Sequence, residues 1–194
     1  MPEPGFGRWR GWVELVMLSL AFAACTQAPA LDAAPPVAAN TAAEPPALLL
    51  PVQGIAASDL RDTFDDGRDG DQRGHEAIDI LAPSGTPVLA VADGRIVKLF
   101  LSKPGGITIY QFDTTGQLAY YYAHLERYAE GLAEGQTIRR GSVIGYVGAS
   151  GNASGDAPHL HFALFRLGPE KQWWKGEPIN PFVSLGGREP LLIK

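Results

Sequence analysis

Cysteine is almost absent from these 194 residues: there is one, together with four histidines. A single Cys excludes an intramolecular disulfide framework and any multi-cysteine zinc or iron–sulfur centre. Positive charge is also short, because 16 Lys and Arg face 21 Asp and Glu, giving a net charge of −5. That balance argues against nucleic acid as a partner. A long hydrophobic run is missing too. The longest apolar stretch, Leu15 to Ala24, is ten residues, about half of the roughly 20 needed to span a bilayer. What is abundant is glycine and proline, 23 and 16 residues. They imply frequent turns and few long helices. Hydrophobic residues at 45% suffice for one core. The chemistry left open is that of histidine and carboxylate.

The chain divides by composition. Residues 1–24 read as an export signal, with Arg8 and Arg10 before the short apolar run and small residues at its end. The run ends Ala21-Phe22-Ala23-Ala24-Cys25, which resembles a bacterial lipobox. In that motif the Cys is lipidated and becomes the mature N-terminus, so Cys25 is the candidate membrane anchor. Ordinary cleavage after Ala21-Phe22-Ala23 is the competing reading. Residues 25–53 read as a tether, since Ala and Pro fill 15 of the 26 positions 26–51. The folded domain is expected over 54–188, with a tail at 189–194.

Within that domain, short β-rich runs alternate with turn residues. Val88–Val91 and Arg95–Phe100 flank Asp93-Gly94. Ile107–Phe112 and Leu118–Leu125 follow, then Thr137-Ile138, Val143–Val147 and His159–Phe165. The expected class is mainly β: an antiparallel sheet, sandwich or open barrel with a groove for the site. A short helix is expected near Leu125–Ala133.

The histidines fall in three places. His159-Leu160-His161 on a strand projects both imidazoles to one side, roughly 7 Å apart, with Leu160 and Phe162 facing the core. Two surface histidines are the bland alternative. His75 and Asp79 would lie about 13 Å apart on a straight strand, so both reach one ion only if the chain bends between them. A loop His and a turn Asp are the alternative there. By period two, Tyr120, Tyr122 and His124 share a face. Trp173-Trp174 reads as core or lid packing rather than as a ligand shelf.

In order, the chain contains His75…Asp79, Tyr122-Ala123-His124-Leu125 and His159-Leu160-His161-Phe162, with Gly148-Ala149-Ser150-Gly151 before the last. This ordered set resembles the lysostaphin/LytM family of zinc metallopeptidases, over about residues 54–187. The resemblance implies Zn²⁺ held by His75, Asp79 and His161, and a catalytic pair, His124 and His159. Three protein ligands leave the open position of a catalytic zinc. It further implies hydrolysis of peptidoglycan stem peptides or cross-links by a monomer in the cell envelope. Ala77 stands where the family has Gly, Ala163 stands where an acidic residue is common, and the loop from Gly151 to Pro158 is two residues longer. Two other functions fit less: a regulatory relative that activates another wall hydrolase, because such relatives lack ligands, and a zinc-buffering β domain.

Overall fold

The computed structural model describes residues 47–68 and 73–186. The export signal, Cys25, most of the tether and the tail at 189–194 lie outside the described residues.

Eleven strands and one short helix follow in chain order. They are β1 (Gly67–Arg68), β2 (Arg73–Gly74), β3 (Ile78–Leu81), β4 (Pro87–Leu89), β5 (Gly94–Ser102), β6 (Gly106–Asp113), β7 (Leu118–Tyr128), β8 (Thr137–Ile138), β9 (Val143–Val147), β10 (His159–Leu167), β11 (Gly176–Ile179) and α1 (Pro181–Ser184). β1 and β2 pair with each other, and the other nine form one sheet with central order β11-β10-β7-β6-β5-β8. β3 joins the free edge of β10, while β9 bridges β4 and the end of β7. Every pairing is antiparallel, as expected for a chain with turns this frequent.

The sheet has two different faces. On one, Ile78, Ile109, Tyr120, Tyr122, Leu160 and Phe162 are fully buried in the main core. Cross-strand pairs Ile80–Leu160 and Ile78–Phe162 set the register of β3 on β10, because a slip of one residue would carry these side chains to the wrong face. The buried polar groups of Tyr122 and Gln111 on this side are paired. The Tyr122 hydroxyl donates to Gln111 Oε1 (2.8 Å) and accepts from the Val91 N–H (3.1 Å), and Gln111 Nε2 donates to the Ala92 carbonyl (2.7 Å).

These bonds account for one departure from the sequence pattern. Val88–Val91 and Arg95–Phe100 do not pair with each other across Asp93-Gly94; β4 pairs with β9, and β5 with β6 and β8. Side chains of β6 and β7 satisfy the backbone of the Val91-Ala92 bend instead. A second departure is at Leu125–Ala133, where no helix forms. β7 runs on to Tyr128 because Leu125, Arg127 and Tyr128 pair with β9.

A third concerns the tether. The segment expected to be free chain up to residue 53 packs from Leu48 onward. Leu48 and Val52 are buried, and the Leu48 and Leu49 N–H groups donate to the Ser184 and Val91 carbonyls. Its Leu48-Leu49-Leu50 run is apolar enough to leave water.

The opposite face of the sheet carries a small second cluster of Phe112, Ala119 and Leu167, flanked by Val97, Phe165 and Trp173. Trp173 packs on Tyr110 and Phe100 with ring centroids 4.8 and 5.5 Å apart, while Trp174 is exposed. The rest of this face is the cleft. Among the described residues no helix is long and apolar enough to cross a membrane.

Candidate metal and catalytic site

A cleft of about 730 Å³ opens on this face, and all four histidines and Asp79 line it. Each arrives by a different local device. His159 and His161 come from β10, where alternation buries Leu160 and Phe162 and turns both imidazoles into the cleft. Asp79 lies directly opposite His161 in the β3–β10 ladder. His75 precedes β3, and the bend that brings it back to Asp79 is made at Glu76, whose φ is +53°. Left-handed backbone is unusual for a residue other than Gly or Asn. The bend closes the gap a straight strand would leave.

Three donor atoms converge. His75 Nε2 is 3.1 Å from Asp79 Oδ1, His161 Nδ1 is 3.0 Å from the same oxygen, and the two nitrogens are 3.0 Å apart. Donors each ~2.0–2.2 Å from one tetrahedral Zn²⁺ lie roughly 3.3–3.6 Å apart. The triangle is only a few tenths of an ångström tighter, which small side-chain rotations accommodate. His75 is buried, with Asp79 and His161 half-buried. Burial opposes ionisation of Asp79, but hydrogen bonds and charge from His161 and His75 outweigh it and hold the carboxyl well below the usual carboxylate range. The donor set is thus one carboxylate and two imidazoles, which suits zinc.

His124 reaches the cleft by breaking its strand. Simple alternation would put it with Tyr120 and Tyr122, which are wholly buried on the core side. Instead His124 has φ +59°, and the β6–β7 register shifts between Ile107 and Ile109. This extra residue turns the side chain to the other face. The expected shared face of Tyr120, Tyr122 and His124 is therefore corrected, since a bulge overrides period two. The His124 ring stands 4.9 Å from that of His159 and 5.6 Å from that of His161.

Hydrogen bonds fix the tautomers. A carbonyl only accepts, so an imidazole nitrogen facing one must carry the proton. Nδ1 of His75, His124 and His159 donates to the carbonyls of Thr63, Ser150 and Ala157 at 2.8, 2.8 and 2.9 Å. In His124 and His159 this leaves Nε2 with the lone pair when the ring is neutral, whereas His75 Nε2 also faces the Asp79 carboxylate at 3.1 Å and offers its lone pair to a cation once one replaces the proton between them. Burial lowers the His124 pKa, as do His161 and His159, against an opposing hydrogen bond to Ser150 and the charge of Asp79. His124 is therefore neutral at pH 7.

Thr63 and Tyr121 contribute without a local signature in the sequence, and Ser150 contributes more than its place in a motif turn discloses. Ser150 lies in the Gly148–Gly151 turn, where its hydroxyl donates to the Leu125 carbonyl (2.6 Å) and accepts from the Ile107 N–H (3.0 Å). Tyr121, on the cleft face, stacks edge-on against His161 at 5.9 Å. Asn152, Ala153 and Ser154 of the lengthened loop line the cleft.

Residues 73–181, more than half of the chain, match the model of peptidase family M23. The L-Ala–D-Glu endopeptidase of Bacillus subtilis is 34% identical over 119 residues, which cover 58% of this chain and 36% of that protein. The DD-carboxypeptidase/endopeptidase Mpg of Neisseria meningitidis is 39% identical over 121 residues, covering 62% of this chain and 24% of that one. The chain thus spans about a third or less of the length of these curated relatives. Among solved structures, the catalytic domain of lysostaphin from Staphylococcus simulans superposes with a TM-score of 0.54 at 26% identity, covering 68% of this chain and 96% of that domain. A peptidase from Pseudomonas aeruginosa gives 0.57 at 25% identity, covering 75% and 53%. Match and geometry agree, and this chain belongs to peptidase family M23.

Proposed function

We propose that this chain is a zinc-dependent endopeptidase that hydrolyses peptide cross-links of bacterial peptidoglycan. His75, Asp79 and His161 hold the ion, and His124 and His159 carry the proton chemistry. The observation that carries the reading is the triangle of His75 Nε2, Asp79 Oδ1 and His161 Nδ1, with edges of 3.0–3.1 Å, beside two further imidazoles. Bound Zn²⁺ supplies a Lewis acid that polarises a carbonyl and acidifies a water.

The protein's own groups do the rest. His124, neutral and held by Ser150, offers its Nε2 lone pair to the proton of the attacking water. His159, whose Nδ1 already donates to Ala157, donates from Nε2 to the oxyanion that develops on the scissile carbonyl when it carries a second proton as the imidazolium, with the Asp79 carboxylate 3.8 Å from that nitrogen. The Tyr121 ring and the 152–154 loop wall the cleft and orient the peptide. The named relatives, L-Ala–D-Glu endopeptidase, Mpg and lysostaphin, support an envelope location for the substrate. Cys25 is then the lipid anchor that would hold the exported domain at a membrane.

Digestion of defined peptidoglycan fragments by the purified protein, with and without chelator and read by mass spectrometry, tests the activity. His161→Ala loses zinc and turnover together, whereas His124→Ala keeps zinc and loses turnover. Cleavage undiminished by His161→Ala overturns the ligand assignment. Labelling with radioactive palmitate, lost in Cys25→Ser, tests the anchor.

A further inference from the structure

The residues that hold the zinc site in shape extend beyond the cleft. Residues 63–66 clasp the segment that carries His75 and Asp79. The Thr63 carbonyl accepts from His75 Nδ1 at 2.8 Å, and the Thr63 hydroxyl oxygen accepts from the Asp79 N–H at 3.1 Å. The N–H groups of His75 and Glu76 donate to the Asp66 and Phe64 carbonyls at 3.0 and 2.9 Å. One residue, Thr63, therefore touches both His75 and Asp79, and the four bonds span the left-handed bend at Glu76.

Thr63 is itself held from the far end of the chain. Asn180 Nδ2 donates to both carboxylate oxygens of Asp62, at 3.1 and 3.0 Å. Asp62 Oδ1 also accepts from the Phe64 N–H at 3.1 Å, which forms a tight turn around Thr63. The other side of Asn180 is fixed as well, because its Oδ1 accepts from the Phe182 N–H at 2.9 Å and caps α1. Asn180 is thus rigid, and it presents its amide to Asp62. The chain of contacts runs from α1 through Asn180, Asp62 and Thr63 to His75 and Asp79. Asp62 and Thr63 precede residues 73–181, the stretch that matches the family.

We propose that Thr63, clamped by the Asp62–Asn180 pair, is a positioning residue for the metal site. Its carbonyl accepts the Nδ1 proton of His75 and so aims Nε2 at the ion, and its hydroxyl holds the backbone from which Asp79 projects. The proposal rests on the zinc reading above. Groups that orient a metal ligand through its other nitrogen or its backbone matter to affinity almost as the ligand does.

The experiment uses the full chain and two readouts. Zinc affinity is measured by competition with a chromophoric chelator, and the His75 tautomer in the zinc-loaded protein, and hence the nitrogen that binds the ion, is read from its imidazole ¹⁵N shifts. Thr63→Val keeps shape and carbonyl but removes the hydroxyl, and is expected to weaken zinc about 10–100-fold with the His75 tautomer unchanged. Thr63→Ser restores affinity. Asn180→Ala releases the clamp, and is expected to weaken zinc by a similar factor and to mix the His75 tautomers. Thermal unfolding of the zinc-free variants shows that they are folded. Wild-type affinity in both Thr63→Val and Asn180→Ala overturns the proposal, as does a His75 that carries its proton on Nε2 in the wild type. A wild-type protein that binds no zinc overturns the functional reading instead.

Discussion

Ser150 holds His124 and its neighbour: its carbonyl accepts from His124 Nδ1 at 2.8 Å, and its hydroxyl donates to the carbonyl of the next residue, Leu125, at 2.6 Å. Together with the Gly105 carbonyl, which accepts from the His124 N–H at 2.8 Å, they hold a left-handed residue that would otherwise relax. Backbone held in this region costs on the order of 1–3 kcal/mol and persists where surroundings over-determine it.

Ser150→Ala removes the hydroxyl bonds to Leu125 and Ile107 and leaves His124 with only its carbonyl partner. The expected loss of stability is about 1–3 kcal/mol. Turnover falls while zinc content stays at the wild-type level. Denaturant unfolding and metal analysis of the same preparation check both; turnover equal to wild type would show that the pin is dispensable.

The glycine after Ser150 carries a second prediction. Gly151 has φ +78°, and a side chain there would run into the Gly106 N–H and the Pro104 carbonyl. Gly151→Ala is expected to cost roughly 1–3 kcal/mol in backbone strain and to displace the 152–154 loop from the cleft. Stability and KM should worsen together. A variant with an unaltered unfolding midpoint contradicts this.

The lowered pKa of His124 fixes the sign of two pH effects. Its folded value lies below the ordinary ~6.5, chiefly because burial disfavours the imidazolium. The free base therefore persists below pH 6.5, and the acid limb of kcat/KM is expected under that value. For stability, the unfolded chain takes up the His124 proton first. This contribution is complete above pH 6.5 and is lost as pH falls from there to the folded pKa. Comparing unfolding of wild type and His124→Gln across pH 4–8 isolates it. A difference that grows as pH rises above 6.5 has the wrong sign.

Tyr122→Phe tests the other face of the sheet. It strips the Val91 N–H and Gln111 Oε1 of their partner in a fully buried setting. A cost of about 1–3 kcal/mol is expected, with zinc affinity unchanged because Tyr122 faces away from the cleft. Urea unfolding and chelator competition decide. A neutral variant would mean that the buried network contributes nothing net.

How far sequence reasoning reached depended on the range of the interactions. Alternation along β10 is local, so the shared side of His159 and His161 and the burial of Leu160 and Phe162 were legible. His124 was legible as a motif residue but not as a geometry, because a bulge is set by the pairing of β7 with β6 and β9 rather than by the residues Tyr122-Ala-His124-Leu125. The hydrogen-bond roles of Thr63, Asn180 and Ser150 were not legible, although Ser150 stands in the Gly148–Gly151 turn of the motif set. Their partners are distant in the chain, 118 residues away for Asn180 and Asp62, and threonine, asparagine and serine occur in any loop.

By itself the sequence determined the β class of the fold and the division into an Ala/Pro-rich stretch and a glycine-punctuated domain, for which composition and nearest-neighbour periodicity suffice; the candidate site residues came from ordered motifs that resemble the lysostaphin/LytM family. Only the tertiary structure decided that Asp79 lies across from His161 and that the chain turns back at Glu76. Those depend on the register of β3 against a strand some 80 residues later. That register is chosen by burying Ile78 and Ile80 against Phe162 and Leu160, an energy that no local stretch of sequence contains.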